Sequence, residues 1–371
     1  MLAEVKQKNL QSLTSLRFFA ALCVVIHHIW HAAPHSWLSD KIGEFGWLSV
    51  SFFFVLSGFV LMWSYKPAES YGYFVLKRII RIYPIYIITL LISLFAFYKI
   101  HNPLGGYVGT PFGTFLSFFL LQDWVPWHPE IRQSWNGVSW TLSCELFFYL
   151  IAPILFHYVL SIKNRMHIVF VAFIWWASLL FTAVLAHHFH NDRIEDILSF
   201  HPIARLFEFF VGAVLGLLCR ESYFKISLKT ALFVLVTPFV CYCLTFTAQS
   251  GLRSSAVLIS LVSPGSALLI AAIAQLDNNR SRYIQFLHNP VLVFLGEASF
   301  SLYMTHALFL GWYFTTIPPL FPEINASVFQ GEFLRTTFLV YAVIISCLTY
   351  YFVELKIHKY LLGVIKNRRS L

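Results

Sequence analysis

The sequence predicts an all-α polytopic membrane protein with about ten transmembrane helices and both termini in the cytoplasm. Three observations predict it. The 371 residues are 58% hydrophobic and only 12% charged, with a mean hydropathy of +0.70, a balance outside the range of water-soluble domains. Apolar runs of about twenty residues, the length that crosses a bilayer as a helix, recur along the whole chain. The basic residues alternate in the loops between those runs: eighteen of the 26 Lys and Arg fall on one side, six on the other, and Arg17 and Arg205 within helices. That asymmetry orients a membrane protein, and a missed or extra span would have scrambled it.

The ten spans are expected near 14–33, 46–64, 82–100, 136–160, 167–187, 203–219, 229–247, 255–275, 290–315 and 334–355. Pro111 to Trp127 is too short and interrupted to span, and reads as a re-entrant or interfacial segment. No internal repeat or low-complexity linker divides the chain, so residues 1–371 are expected to form one domain. Cys23, Cys144, Cys219, Cys241, Cys243 and Cys347 all lie in or beside apolar runs without a CxxC pair, and read as small apolar side chains; no metal is expected. The net charge of +9 is spread between spans instead of forming one patch, which argues against nucleic acid as a partner. The first run, interrupted by Arg17 and by His27 and His28, does not read as a cleaved signal peptide.

Ionisable groups inside apolar spans cost about 2.5–3.5 kcal/mol each on insertion scales, so each needs a reason. Arg17 and His28 are eleven residues apart in the first span, about three helical turns, and therefore share a face about 16 Å apart. Arg17 is either a snorkelling arginine or a ligand group. His28 is either a satisfied core histidine or a base, with His27 and His31 as rivals. In the second span Ser49, Ser51, Ser57 and Gly58 allow close helix approach or a ligand passage. Lys77, Arg78 and Arg81, in KRIIRIYP, recur at helical spacing; with Arg17 they would suit a phosphate-bearing cytoplasmic ligand, although basic residues here also orient the chain. Glu145, flanked by Trp140 and Tyr149, lies deep enough to need a cation or an imidazole, and structural and catalytic pairing are equally open. Arg205 and Glu208 are expected to satisfy each other, Gly212 and Gly216 to mark a close helix contact, and Glu354 to pair with the basic carboxyl end. Ser299, Ser301, Tyr303 and His306 add a polar stripe with a deep histidine to the ninth span.

Together these stretches resemble the acyltransferase 3 family of integral-membrane O-acyltransferases, which modify bacterial surface glycans and some secreted small molecules. The resemblance rests on Arg17 and His28, on FFFVLSGF through Ser57 and Gly58, on RxxRxxP at Arg78, Arg81 and Pro84, on Trp140 with Glu145, on Arg205 to Gly216, and on SLYMTH at Ser301 to His306. It implies acetyl-CoA or a related acyl-CoA as cytoplasmic donor, bound by Arg17, Arg78 and Arg81, and a glycan or lipid-linked saccharide acceptor outside a bacterial inner membrane. It implies His28 as base; Glu145 or another buried polar group is then expected to fix its tautomer, and an acyl-histidine is an alternative route. Ser57, Trp140, Tyr303 and His306 become substrate or structural support. Some members carry an SGNH-type extracytoplasmic domain; none is expected here, so any such transferase is either a separate partner or unnecessary. Lys356 follows Leu355 where many relatives have proline, leaving the role of Glu354 open. A saccharide transporter or flippase without acyl transfer, and a haem protein ligated by His28 and His306, are the other classes that the composition allows.

Overall fold

Backbone groups in lipid have no water to bond, so a spanning chain must satisfy them within each segment. The computed structural model, which describes residues 10–30, 43, 45–97, 109–246, 254–279, 281–320 and 328–369, does so with helices, and no strand occurs among those residues. The helices are α1 (Gln11–Trp30), α2 (Ser49–Ser64), α3 (Tyr71–Phe97), α4 (Pro111–Phe118), α5 (Trp140–Ser161), α6 (Arg165–His188), α7 (Asp192–Phe200), α8 (Pro202–Arg220), α9 (Leu228–Phe246), α10 (Ser255–Asn278), α11 (Pro290–Glu297), α12 (Ser299–Leu320), α13 (Val328–Thr349) and α14 (Leu355–Arg369). Among the described residues, eight stretches are long and apolar enough to cross a membrane; α11 with α12 would make a ninth, bent by 58°, and α9 contributes a shorter apolar helix. The chain is thus an all-α, multi-pass membrane protein, with a helix at each of the ten expected segments. His31 and the basic residues Lys6, Lys8, Lys41, Lys99, Arg253 and Arg280 lie outside the described residues.

Three boundaries differ from expectation. The third helix begins at Tyr71, not near residue 82, and carries Pro84 in its interior. Its added turns bury Phe74, Val75, Ile80 and Ile82, and this packing outweighs the backbone bond that proline forfeits. The ninth segment breaks at Ala298 instead of running straight. The last continues through a π turn, Tyr350–Glu354, into α14.

The chain forms two compact units, with a boundary inside α1 between Leu16 and Arg17. The first comprises the described parts of Met1–Leu16, Val50–Ser70 and Leu150–Val293. Leu13, Val55, Phe59, Ile270, Ala271 and Leu287 meet in its core. There α2 and α8 approach backbone to backbone: a Cβ on Gly58 would overlap the Phe209 carbonyl, and one on Gly212 that of Val55. The small-residue spacing of Gly212 and Gly216 is therefore a close contact, as expected. Asp277 accepts from the Ser12 amide at 3.0 Å, satisfying a donor in the first turn of α1. Arg205 and Glu208 also meet as expected, at 2.8 Å and almost wholly buried. Their remaining groups are used: the Arg205 guanidinium donates to Ser51 Oγ and the Ser199 carbonyl and lies over the Phe54 ring, while Glu208 accepts from Ser263.

The second unit comprises the described parts of Arg17–Ser49, Tyr71–Tyr149 and Phe294–Leu371. In it α12 packs against α3, α13 and the Gly137–Ser139 turn, and α14 packs on α3. Tyr83 and Tyr86 of α3 donate to the Phe118 and Ser117 carbonyls at the end of α4, which anchors the Pro111 to Trp127 segment on the unit. Removing one member of a buried ion pair leaves the other uncompensated. Glu208→Ala is accordingly expected to destabilise the detergent-solubilised protein by about 3–5 kcal/mol, and Arg205→Met with Glu208→Leu to recover most of that loss, as measured by denaturant unfolding.

Candidate active site

Every group in this site belongs to the second unit. The part of α1 that follows Leu16 carries Arg17 in its first exposed turn of polarity and His28 near its end, so one rigid helix sets the separation of the two groups. Arg17 lies within electrostatic reach of Arg81, Tyr149, Glu145 and Arg78. Arg81 also faces Glu354 and Tyr350. Three guanidinium groups from α1 and α3 thus meet the carboxylates of α5 and of the π turn, and Glu297, which accepts from Tyr350 at 2.8 Å and lies within electrostatic reach of Glu354, adds a third carboxylate beside them. Arg17, Arg78, Arg81 and Glu145 are all only half-buried, so the cluster is reachable. Lys77 does not join it as the spacing had allowed: its ammonium sits over the Tyr73 ring, 4.9 Å from the centroid.

Glu145 accepts from the Tyr149 hydroxyl at 2.9 Å, one turn along α5, and turns its charge to Arg17 and Arg81. Of the two groups expected to hold the His28 tautomer, Glu145 or another buried polar group, the first is corrected in favour of the second, because Glu145 is bonded to Tyr149 and the group beside His28 is His306. Glu354 is corrected too: it accepts from Ser301 Oγ at 2.6 Å and faces Arg81, while Lys356 lies over Phe352. The π turn explains the change, because its wider winding turns Glu354 inward, and Glu354 is 5% exposed.

The second cluster surrounds His28. Its Nδ1 lies 3.0 Å from the Val24 carbonyl oxygen and 3.1 Å from His306 Nε2. His306, fully buried on α12, has its own Nδ1 3.0 Å from the Leu302 carbonyl. A carbonyl only accepts, so both Nδ1 atoms are assigned protons; the single His28 Nδ1–H is then shared between the Val24 carbonyl and His306 Nε2, and this assignment makes Nε2 the basic nitrogen of His28. His27 is held differently, with Nδ1 2.7 Å from the Gly43 carbonyl. Tyr303, whose ring is 6.0 Å from that of His306, donates to the Val138 carbonyl at 2.9 Å and accepts from Thr141 Oγ1 at 3.0 Å. It lies within electrostatic reach of Glu145. Trp140 opens α5, half-buried. Ser57 belongs to α2 in the first unit, beside the Gly58 contact.

The structure therefore brings together Arg17, Arg78, Arg81 and Glu145, and separately His28, His306 and Tyr303. Sequence reasoning paired His28 with His306 only as ligands of the haem alternative, not in direct contact across 278 residues, and missed the Ser301–Glu354 bond; SLYMTH carried a hint, in its polar residues at helical spacing.

Known proteins point the same way. A family model described as an acyltransferase domain, Acyl_transf_3, matches residues 10–352. Acyltransferase MdmB of Streptomyces mycarofaciens is 32% identical over 80% of this chain and 78% of its own length. Nodulation protein 10 of Rhizobium leguminosarum bv. viciae is 26% identical over 79% of this chain and 81% of its own. A Staphylococcus aureus (strain COL) protein that carries an O-acetyltransferase name is 23% identical over 81% of this chain and 50% of its own length. No solved structure matches.

Tyr149→Phe removes the hydroxyl that donates to Glu145. It is expected to cost about 1.5–3 kcal/mol of unfolding free energy. Combined with Glu145→Gln the two losses should fall well short of their sum in denaturant titrations, because they share one interaction.

Proposed function

This chain belongs to the acyltransferase 3 family, and from that premise we propose that it is a membrane O-acyltransferase moving an acyl group, most simply acetyl, from acetyl-CoA or a related acyl-CoA to a hydroxyl of an extracytoplasmic glycan or lipid-linked saccharide. It works in a bacterial inner membrane with both termini in the cytoplasm. The observation that carries the reading is the arrangement on α1: a three-arginine cluster at one end and, three turns on, a histidine whose Nδ1 proton is committed to Val24 and His306.

Arg17, Arg78 and Arg81 hold the donor's phosphates, for which planar guanidinium forks are suited. Glu145, braced by Tyr149, keeps Arg17 and Arg81 from driving each other apart, and so acts through the arginines instead of through the base. The thioester arm extends along α1 toward His28. His28 Nε2 takes the proton of the acceptor hydroxyl as its oxygen attacks the thioester carbonyl carbon; the C–O bond forms, the C–S bond breaks, and the departing thiolate recovers the proton from His28. His306 is a positioning residue, holding the tautomer and the ring plane of His28. Tyr303 supports His306 and ties it to the start of α5.

Calorimetric titration with acetyl-CoA tests the donor site. Wild type is expected to bind, Arg78→Ala/Arg81→Ala to lose binding, and His28→Ala to bind normally with transfer abolished; a well-folded wild type that ignores acetyl-CoA would sink the reading and favour a transporter. His306→Ala is expected to lower kcat by about 10–100-fold with an unchanged KM for acetyl-CoA, and His306→Gln, whose side-chain oxygen can accept from His28, to restore part of that loss in steady-state assays.

A further inference from the structure

Glu354 closes the π turn and faces Arg81. One helical turn further on, α14 carries His358, a titratable side chain that the acyl-transfer reading leaves unused. It faces both Arg81 and Arg78 and lies against the Ile80 backbone, all on α3, along which α14 packs. Advancing one turn on α14 therefore moves one turn back on α3. The two helices run in opposite directions, and Arg81 with Glu354, then Arg78 with His358, form successive rungs about 5.4 Å apart.

These rungs have an order relative to the base. Arg17 interacts more strongly with Arg81 than with Arg78, so the rung of Arg78 and His358 lies on the side of the cluster away from α1. The carboxylates sit on the nearer side, Glu145 facing Arg17 and Arg81, and Glu354 facing Arg81. No carboxylate among the described residues faces His358. Its ring is half-buried, with Nδ1 turned inward and without a partner among those residues, which leaves Nε2 as the accessible nitrogen. A protonated imidazole beside two guanidinium groups is repelled by them, and an anion seated between the three reverses that repulsion into attraction.

An acyl-CoA carries its phosphates at two distances from the thioester: the diphosphate ends the pantetheine arm, and a phosphate monoester lies further out on the ribose. With the thioester directed at His28, the monoester is the outermost anion. It bears a charge of about −2 near neutral pH and several strong acceptor oxygens. We propose that His358, together with Arg78, takes this ribose phosphate, so that the outer rung selects the complete coenzyme over its dephosphorylated form. This inference rests on the donor reading and assigns one phosphate within it; the diphosphate falls to Arg17 and Arg81. His358 is a specificity residue for the donor and takes no part in moving the acyl group.

The test measures calorimetric dissociation constants of acetyl-CoA and acetyl-dephospho-CoA on purified full-length protein in detergent, for wild type, His358→Ala and His358→Gln. A charge-assisted hydrogen bond is worth about tenfold or more in affinity. Wild type should therefore prefer acetyl-CoA by about 100-fold, and His358→Ala by about tenfold, with the affinity for acetyl-dephospho-CoA unchanged. His358→Gln, which keeps a neutral N–H donor and loses the charge, should fall between them. Each ratio compares two ligands on one protein sample, so a fraction of misfolded variant does not alter it. Wild type without a preference, or His358 variants that keep the full preference, whether by losing both donors equally or by losing neither, would overturn the assignment. Wild type that binds neither donor would instead overturn the donor reading itself.

Discussion

Guanidinium groups crowded among apolar helices repel one another, and that repulsion governs how the second unit is built. Two unit charges about 6 Å apart at an effective dielectric near 20 repel by roughly 3 kcal/mol, so three arginines in one cluster need carboxylates between them. Glu145 and Glu354 supply these, and each is itself oriented by a hydroxyl, Tyr149 for one and Ser301 for the other. Glu297, within electrostatic reach of Glu354, adds a third carboxylate beside the three guanidinium groups. In the reaction proposed above, an anionic donor would meet those guanidinium groups in the same low dielectric that makes unpaired charge costly.

The first unit meets the same constraint in the opposite way. Arg205 and Glu208 neutralise each other one turn apart on α8, and Ser51, Ser199, Ser263 and the Phe54 ring occupy the remaining bonding directions. A closed pair of this kind attracts no ligand. The contrast is between an ion pair closed within one helix and a set of arginines and carboxylates drawn from several elements.

Much of this was legible in the sequence because it depends on helical periodicity alone. The ten apolar runs, the Arg205–Glu208 pair, the Gly212 contact and the shared face of Arg17 and His28 all follow from spacing along one helix. What failed depends on which helix faces which. Lys77 has the same spacing to Arg81 as any i, i+4 pair, yet it turns to Tyr73, and no periodicity reveals that choice. Glu354 was given to the basic carboxyl end because a regular helix would aim it there; the π turn redirects it to Ser301 and Arg81. The partner of His28 lies on α12, and its identity required packing that joins residues far apart in the chain.

The use of one helix for both clusters has a mechanical consequence. Eleven residues at about 100° each come to within about 20° of three whole turns, so the arginine and the histidine of α1 share a face without any help from loops. A helix of this length is stiff, and the roughly 16 Å between the two groups is therefore a fixed length, against which an extended donor would be measured in the reaction proposed above. Loops would let that distance wander, and an error of about 1 Å between reacting atoms can cost on the order of 100-fold in rate. The chain then fixes the far end a second time, through His306 on α12 and the carbonyl of Val24, so that His28 is constrained in position by its helix and in tautomer by its neighbours. Position and protonation are thus controlled by different elements, and each can be perturbed without disturbing the other.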